Sequence, residues 1–385
     1  TLELQELIAL LLPVAAASGW IGARQYYLRK SYPHPHAPLT EAYRKGLNYL
    51  LDERPEKALA AVEKIIEQDQ DPFETQVALG NLFRRRGEVE KAIELHEKLM
   101  MRPDLTPKHH ARASFELGMD YLGAGLFDRA EHFFKSLVND KNHRGSALQQ
   151  LLMIYISERE WQNAIHCVDQ LTEIAKPRYG ESRSQFLCEL AEEAMVRHRL
   201  KDARDYLNQA LVDDPLCVRA NMVKGRLELA NGEYHQAVLS FKQVEHQNPV
   251  YLPVVFEPLK ACWDKLGIDQ EATDYLDHLY QDYGLVAAAV EVAERILRTK
   301  GTAAAIDYLL PVLEERPEPL TVSCALELLT EGRAIVSDRI EKLGSILTSL
   351  IASTTHFHCV ECGFSGHELH WCCPTCRHWS SIVPN

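Results

Sequence analysis

Residues 79–93 read LGNLFRRRGEVEKAI, and this stretch decides the fold. A small residue, Gly80, is followed three positions later by an aromatic, Phe83; Gly87 then marks a turn, and Ala92 opens a second helix. The frame returns as LGMDYLGAGLFDRAEHFF at 117–134 and as KGRLELANGEYHQAVLSF at 224–241. The alanine of the second helix falls at Ala58, Ala92, Ala130, Ala164, Ala203, Ala237, Ala272 and, less clearly, Ala305. The intervals are 34, 38, 34, 39, 34, 35 and 33 residues.

A helix–turn–helix unit of this period is the tetratricopeptide repeat. The reading is an all-α superhelical solenoid of about eight repeats over residues 40–350. Two antiparallel helices pack closely only where Gly or Ala lies at their contact. Aromatics such as Phe83, Tyr121, Tyr155, Phe134 and Phe241 are expected to fill the space between units. Turn glycines Gly87, Gly125 and Gly232 accept backbone angles closed to other residues. No unit buries its own face, so stacking supplies the stability and leaves a concave binding groove. The pattern fades after residue 250: YLPVVFEP at 251–258 carries two prolines, and the last units are read as degenerate or capping. The longer intervals imply loop insertions at 102–108 and 176–182.

Working outward, the chain of 385 residues is acidic, with formal net charge -13 and no long basic tract. Nucleic acid is therefore a poor partner, since binding it means neutralising phosphates. Repeat grooves bind rather than catalyse. No Ser or Cys pairs with a His and an acid at a recognisable spacing, and no glycine-rich phosphate loop is present, so the chain is read as a non-enzyme. Asn81, Arg84, Arg85, Arg86 and Lys91 form a basic patch able to meet an acidic segment, against the plainer reading of a solvated helix face. A homodimer is compatible with such a scaffold.

Before the repeats, Leu7–Ala23 (LIALLLPVAAASGWIGA) is seventeen residues without a charge. At about 1.5 Å per residue it spans roughly 26 Å, near the lower limit for crossing a bilayer. Trp20, Tyr26 and Tyr27 suit the interface, and Arg24, Arg29 and Lys30 put the remainder of the chain in the cytoplasm. Residues 1–30 are read as a transmembrane anchor with its basic flank, and 31–39 as a Pro-rich linker. A cleaved signal peptide or a core helix interrupted by Pro13 are the competing readings.

The tail, residues 355–385, holds Cys359-x-x-Cys362 and Cys373-x-x-Cys376, ten residues apart. Each CxxC turn sets two thiolates on one side of a tight loop, and two facing loops complete a tetrahedral metal site. Gly363 leaves room for backbone N–H groups to point at sulfur. Zinc and a single iron fit four sulfurs equally. A pair of disulfides, a redox-active CxxC and a histidine ligand among His356, His358, His367, His370 and His378 are weaker readings. Cys372 is a spare thiol, expected to be exposed and oxidisable. Cys167, Cys188, Cys217, Cys262 and Cys324, scattered through helical sequence, serve as small core residues. With Phe357, Phe364, Trp371 and Trp379 as its apolar core, so short a tail is expected to dock on the helical body, joined through 331–355.

In order, the anchor LLLPVAAASGWIGAR, the repeat LGNLFRRRGEVEKAI, the phrases AGLFDRAE and ALQQLLMIY, and the tail CVECGF…WCCPTCRHWSSIVP resemble the lipopolysaccharide assembly protein B family of Gram-negative bacteria. The resemblance implies a single-pass inner-membrane protein facing the cytoplasm, with a rubredoxin-like tail packed on the repeats. It implies an adaptor that promotes degradation of the deacetylase LpxC, which commits precursor to lipid A, by the membrane protease FtsH. A lipopolysaccharide-sensing membrane protein restrains such adaptors through the anchor. The metal ligands carry over to Cys359, Cys362, Cys373 and Cys376, and iron is the ion the family favours. The chain departs from the pattern at Cys372 and in the polar Gln5-Glu6 ahead of the apolar run, which leaves the membrane register open. Other functions consistent with these parts are a scaffold gathering lipopolysaccharide-synthesis enzymes and, less favoured, a rubredoxin-like electron carrier.

Overall fold

The computed structural model describes residues 73–174, 180–315 and 357–384, with isolated positions between 319 and 325. The anchor, the linker, the unit at Ala58 and the connection at 331–355 lie outside the described residues. Among those residues no helix is long and apolar enough to cross a membrane.

The chain divides into two compact units, Thr1–Ala147 and Leu148–Asn385. In the first, α1 (Phe73–Arg85) pairs with α2 (Val89–Met100), and α3 (Pro107–Gly123) with α4 (Phe127–Leu137). Thr106 caps α3 by accepting the His109 N–H at 3.2 Å, with Pro107 next in line where a missing N–H costs nothing. The linker between α2 and α3 is therefore Met101–Thr106; Pro107 and Lys108, expected in a loop, are already helical.

The second unit continues with α5 (Arg144–Glu158), which begins just ahead of the boundary, α6 (Trp161–Ile174), α7 (Gly180–Val196), α8 (Leu200–Asp213), α9 (Val218–Ala230) and α10 (Tyr234–Gln247). A 3-10 turn (Pro249–Tyr251) leads to α11 (Leu252–Leu266), α12 (Asp269–Tyr283), α13 (Val286–Lys300) and α14 (Thr302–Glu315). Residues 180–182, expected in an insertion, belong to α7. The two prolines of 251–258 do not break the pattern either. Pro253 lies in the first turn of α11, where no hydrogen bond is lost, and Pro258 sits inside the helix. Burial of Val255, Phe256, Leu259, Cys262 and Trp263 along α11 outweighs the one bond that Pro258 forfeits.

The repeat alanines explain themselves in three dimensions. Ala92, Ala130, Ala164, Ala203, Ala237, Ala272 and Ala305 are all fully buried, so no larger side chain fits there. The glycine of the first helix faces a ring sixteen residues on. A Cβ at Gly118 would lie 2.9 Å from the Phe134 ring, and one at Gly225 would lie 2.5 Å from Phe241. Phe134 and Phe241 thus fill a slot that the glycine opens inside their own unit, and Phe241 also belongs to the core cluster shared with the next unit. At two turns the left-handed position taken elsewhere by Gly87, Gly125, Gly232 and Gly267 is held by Arg159 (φ 58°) and His198 (φ 56°). That substitution is why the glycine signal thins in the middle of the body.

Candidate metal centre and its docking surface

The tail forms a three-stranded antiparallel sheet, β1 (Phe357–Cys359), β2 (Ser365–Gly366) and β3 (Ile382–Pro384), in the order β2-β1-β3. Two loops of the same construction rise from it. In the first, Cys359 N–H donates to the Phe364 carbonyl (2.7 Å) and Gly363 N–H to the Cys359 carbonyl (2.9 Å). In the second, Cys373 N–H donates to the His378 carbonyl (2.9 Å) and Arg377 N–H to the Cys373 carbonyl (2.9 Å). Backbone N–H groups of Glu361 and Cys362 point at Cys359 Sγ, and that of Phe364 at Cys362 Sγ; Thr375, Cys376 and His378 repeat the arrangement on Cys373 and Cys376.

The four sulfurs lie within 4.8 Å of one another, and among the described residues no histidine joins the set; His356 lies outside them. Cys359 and Cys376 Sγ are 3.7 Å apart, as are Cys362 and Cys373 Sγ. A tetrahedral ion with metal–sulfur bonds of about 2.3 Å requires sulfur–sulfur edges of about 3.8 Å, so the residues present fit a four-thiolate metal. The thiols are electrostatically divided. The Cys359 thiol donates to Ser381 Oγ at 3.4 Å, and contact with that hydroxyl, helped by the N–H groups of Glu361 and Cys362, lowers Cys359 to about 6. At Cys376 the His378 N–H pulls downward, but desolvation and the three neighbouring thiols push it up to about 12. Four such thiolates coexist only around a cation.

Cys372 is half-buried, not exposed as expected. Its backbone bridges to Trp379, its thiol donates to the Arg377 carbonyl at 3.6 Å, and burial pushes the thiol up, away from the reactive thiolate. The described single cysteines fit their expected role: Cys167, Cys188, Cys217 and Cys262 are buried, and Cys324 is partly buried.

Phe357 and Phe364 pack on the sulfurs, but Trp371 and Trp379 leave the small core and meet the repeats. Trp379 makes edge contacts with Trp161 and Phe186, at 6.3 and 5.6 Å between ring centres. Trp371 stacks on Tyr251 at 5.6 Å. Between the two indoles lies the guanidinium of Arg219, 5.9 Å from one ring and 6.0 Å from the other. Arg219 is only 2% exposed, and Glu189 (2.9 Å) and Glu192 (2.8 Å) neutralise it. Gln185 Nε2 donates to Ser380 Oγ at 3.1 Å, and the Tyr251 hydroxyl donates to the Ile382 carbonyl at 2.9 Å. Burial pushes the Tyr251 phenol up to about 12, so it remains a donor.

None of Gln185, Arg219 or Tyr251 was singled out from sequence. The available cue was Arg219 itself, a charge inside the otherwise buried run Val218–Val223. The basic patch, by contrast, is largely engaged within its own unit. Arg84 bonds Asp120 (2.5 Å), Glu116 (2.9 Å) and Asn81 (2.6 Å), while Arg86 and Lys91 both pair with Glu88. Asp120 also bonds the fully buried His96, whose ring occupies the slot over Gly80.

Tetratricopeptide repeat families match residues 77–111 and 188–251, and the rubredoxin metal binding domain matches residues 357–384. Over 383 residues the chain is 34% identical to lipopolysaccharide assembly protein B of Escherichia coli (strain K12), covering 98% of each. To the protein of the same name from Haemophilus influenzae it is 31% identical over 391 residues, again covering 98% of each. A tetratricopeptide repeat protein from Parabacteroides merdae aligns with 75% of this chain and 98% of its own, at 12% identity and a TM-score of 0.31.

Proposed function

Because this chain belongs to the lipopolysaccharide assembly protein B family, we propose that it serves lipopolysaccharide assembly as a non-catalytic, membrane-tethered adaptor. In this reading the repeats and the docked knuckle present the deacetylase LpxC to the protease FtsH, and a lipopolysaccharide-sensing membrane protein acts on the anchor. The chain sits in the inner membrane by one N-terminal span, with its bulk on the cytoplasmic side.

The observation that carries the reading is the burial of Arg219 between two knuckle tryptophans. A metal site built into the repeats by so many contacts shapes a binding surface; a carrier that shuttles electrons to a partner has no need of it. Cys359, Cys362, Cys373 and Cys376 hold the ion, iron by family resemblance, and the ion supplies cross-linking of two loops too short to fold alone.

Depletion of the chain in living cells tests the adaptor role. The half-life of LpxC should lengthen several-fold, and co-purification with the intact chain should recover both FtsH and LpxC. An unchanged half-life would leave only a scaffold that gathers enzymes. Metal analysis of protein purified without added zinc decides the ion.

A further inference from the structure

Where the knuckle meets the repeats there is a cavity of about 490 Å³, within the range that binds small ligands and short peptide segments. Its walls come from both partners: Gln185, Asp214, Leu216 and Gln247 from the repeats, Trp371 and Arg377 from the knuckle. Three features of this wall are not fully used by the fold.

The first is a pair of buried acceptors. Gln247 directs its amide nitrogen at the carbonyls of Pro215 (2.8 Å) and Cys217 (3.4 Å), which fixes the orientation of the amide. Its side-chain oxygen is buried without a partner, and so is that of Gln185, a residue only 3% exposed. Buried acceptors of this kind cost stability unless something donates to them.

The second is Arg377. The equivalent position of the first loop is Gly363, with φ 75°, the residue suited to this backbone. The second loop puts an arginine there at φ 59°, a strained choice that the metal-binding turn does not require. Arg377 lines the cavity, and its exposed side chain makes no hydrogen bond or ion pair among the described residues.

The third is polarity. Helix α9 starts on the cavity wall at Val218 with no acidic residue in its first turn, so its positive end reinforces Arg377. Asp214 already accepts the Leu216 N–H at 3.0 Å and adds a further acceptor. Leu216 itself is 67% exposed at the rim.

We propose that this cavity binds an extended peptide segment carrying an acidic side chain. The peptide N–H groups meet the oxygens of Gln185, Gln247 and Asp214, its carboxylate meets Arg377, and an apolar neighbour covers Leu216 and Trp371. This site stands apart from the adaptor reading, since it needs only the docked knuckle.

The test uses the full-length, metal-loaded chain in detergent and a random octapeptide library with amidated C-termini, one position fixed as Glu or as Gln. Glu pools should be retained at least tenfold over Gln pools. Arg377→Gly should abolish that preference while its melting temperature equals or exceeds that of the parent, because glycine relaxes the turn. Gln247→Leu should weaken retention of both pools. Equal retention of the pools, a preference that survives Arg377→Gly, or a melting temperature lowered by that change would each overturn the proposal. So would retention confined to a parallel library with free C-terminal carboxylates. LpxC turnover that still depends on the chain would leave the adaptor reading intact in any of these cases.

Discussion

The hydroxyl of Tyr251 donates a 2.9 Å hydrogen bond to the carbonyl of Ile382, a buried contact between residues 131 positions apart. Tyr251→Phe keeps the stack on Trp371 but strands that carbonyl, which should cost about 1–3 kcal/mol. Denaturant unfolding and hydrogen exchange at β3 read the loss. Exchange in β3 that is no faster than in the parent would show that the bond contributes nothing to docking.

Arg219→Ala removes the cation shared by Trp371 and Trp379 and leaves Glu189 and Glu192 facing each other. Lost cation–π contacts and the broken ion pairs together should destabilise the docked state by about 2–4 kcal/mol. Arg219→Lys should recover only part, since a point charge cannot lie flat against two rings. Full recovery by lysine would argue that charge alone holds the seam.

Gly225→Ala places a methyl group 2.5 Å from the Phe241 ring. Overpacking of this kind should cost about 1–3 kcal/mol. Phe241→Leu in the same chain should return much of it, because the two changes share one slot. Strict additivity in a double-mutant cycle would refute the slot.

Stripping the metal, or Cys359→Ser, should free Trp371 and Trp379 from the repeats. Their emission should shift to the red, with little change in helical circular dichroism from the repeats. Retention of the ion should also weaken as pH falls, since protons compete for the thiolates. Tryptophan emission that stays constant as the metal leaves would mean the knuckle docks without it.

Glu245 accepts bonds from Tyr275 (2.6 Å), His278 (2.8 Å) and Tyr283 (3.1 Å). Burial pushes its carboxyl up, yet the three donors together hold it below the ordinary value of 4.5. A carboxyl lowered in the folded state stabilises above the unfolded value, and that contribution vanishes as pH falls through the folded one. Glu245→Gln should therefore be less stable than the parent at neutral pH, with the gap closing below about pH 4.5. Urea midpoints at both pH values check this; a gap of constant size would exclude the linkage.

The repeat body was legible because its spacing constraints fall on single residues. An alanine that must vanish into a helix contact, such as Ala237, and a glycine that must admit a ring, such as Gly225, leave a periodic trace in the sequence. The sulfur cluster was legible for a similar reason, since CxxC spacing follows from loop geometry. The docking face left no such trace. Arg219, Gln185 and Tyr251 lie on three separate elements, and only folding brings them to one surface. The pair of prolines at 253 and 258 misled because local propensity argued for a break where tertiary burial won. Cys372 misled only in its exposure: it stays outside the sulfur cluster, but folding half-buries it.

Seen mechanically, the knuckle is a splint. In a plain stack each repeat feels only its neighbours, so the ends can peel away one unit at a time. Here a single small body grips α6 through Trp161, α7 through Gln185 and Phe186, α9 through Arg219, and the turn before α11 through Tyr251. Under a pulling force those repeats should give way together in one long step, with the brittleness of that step set by four thiolates at the far end of the chain.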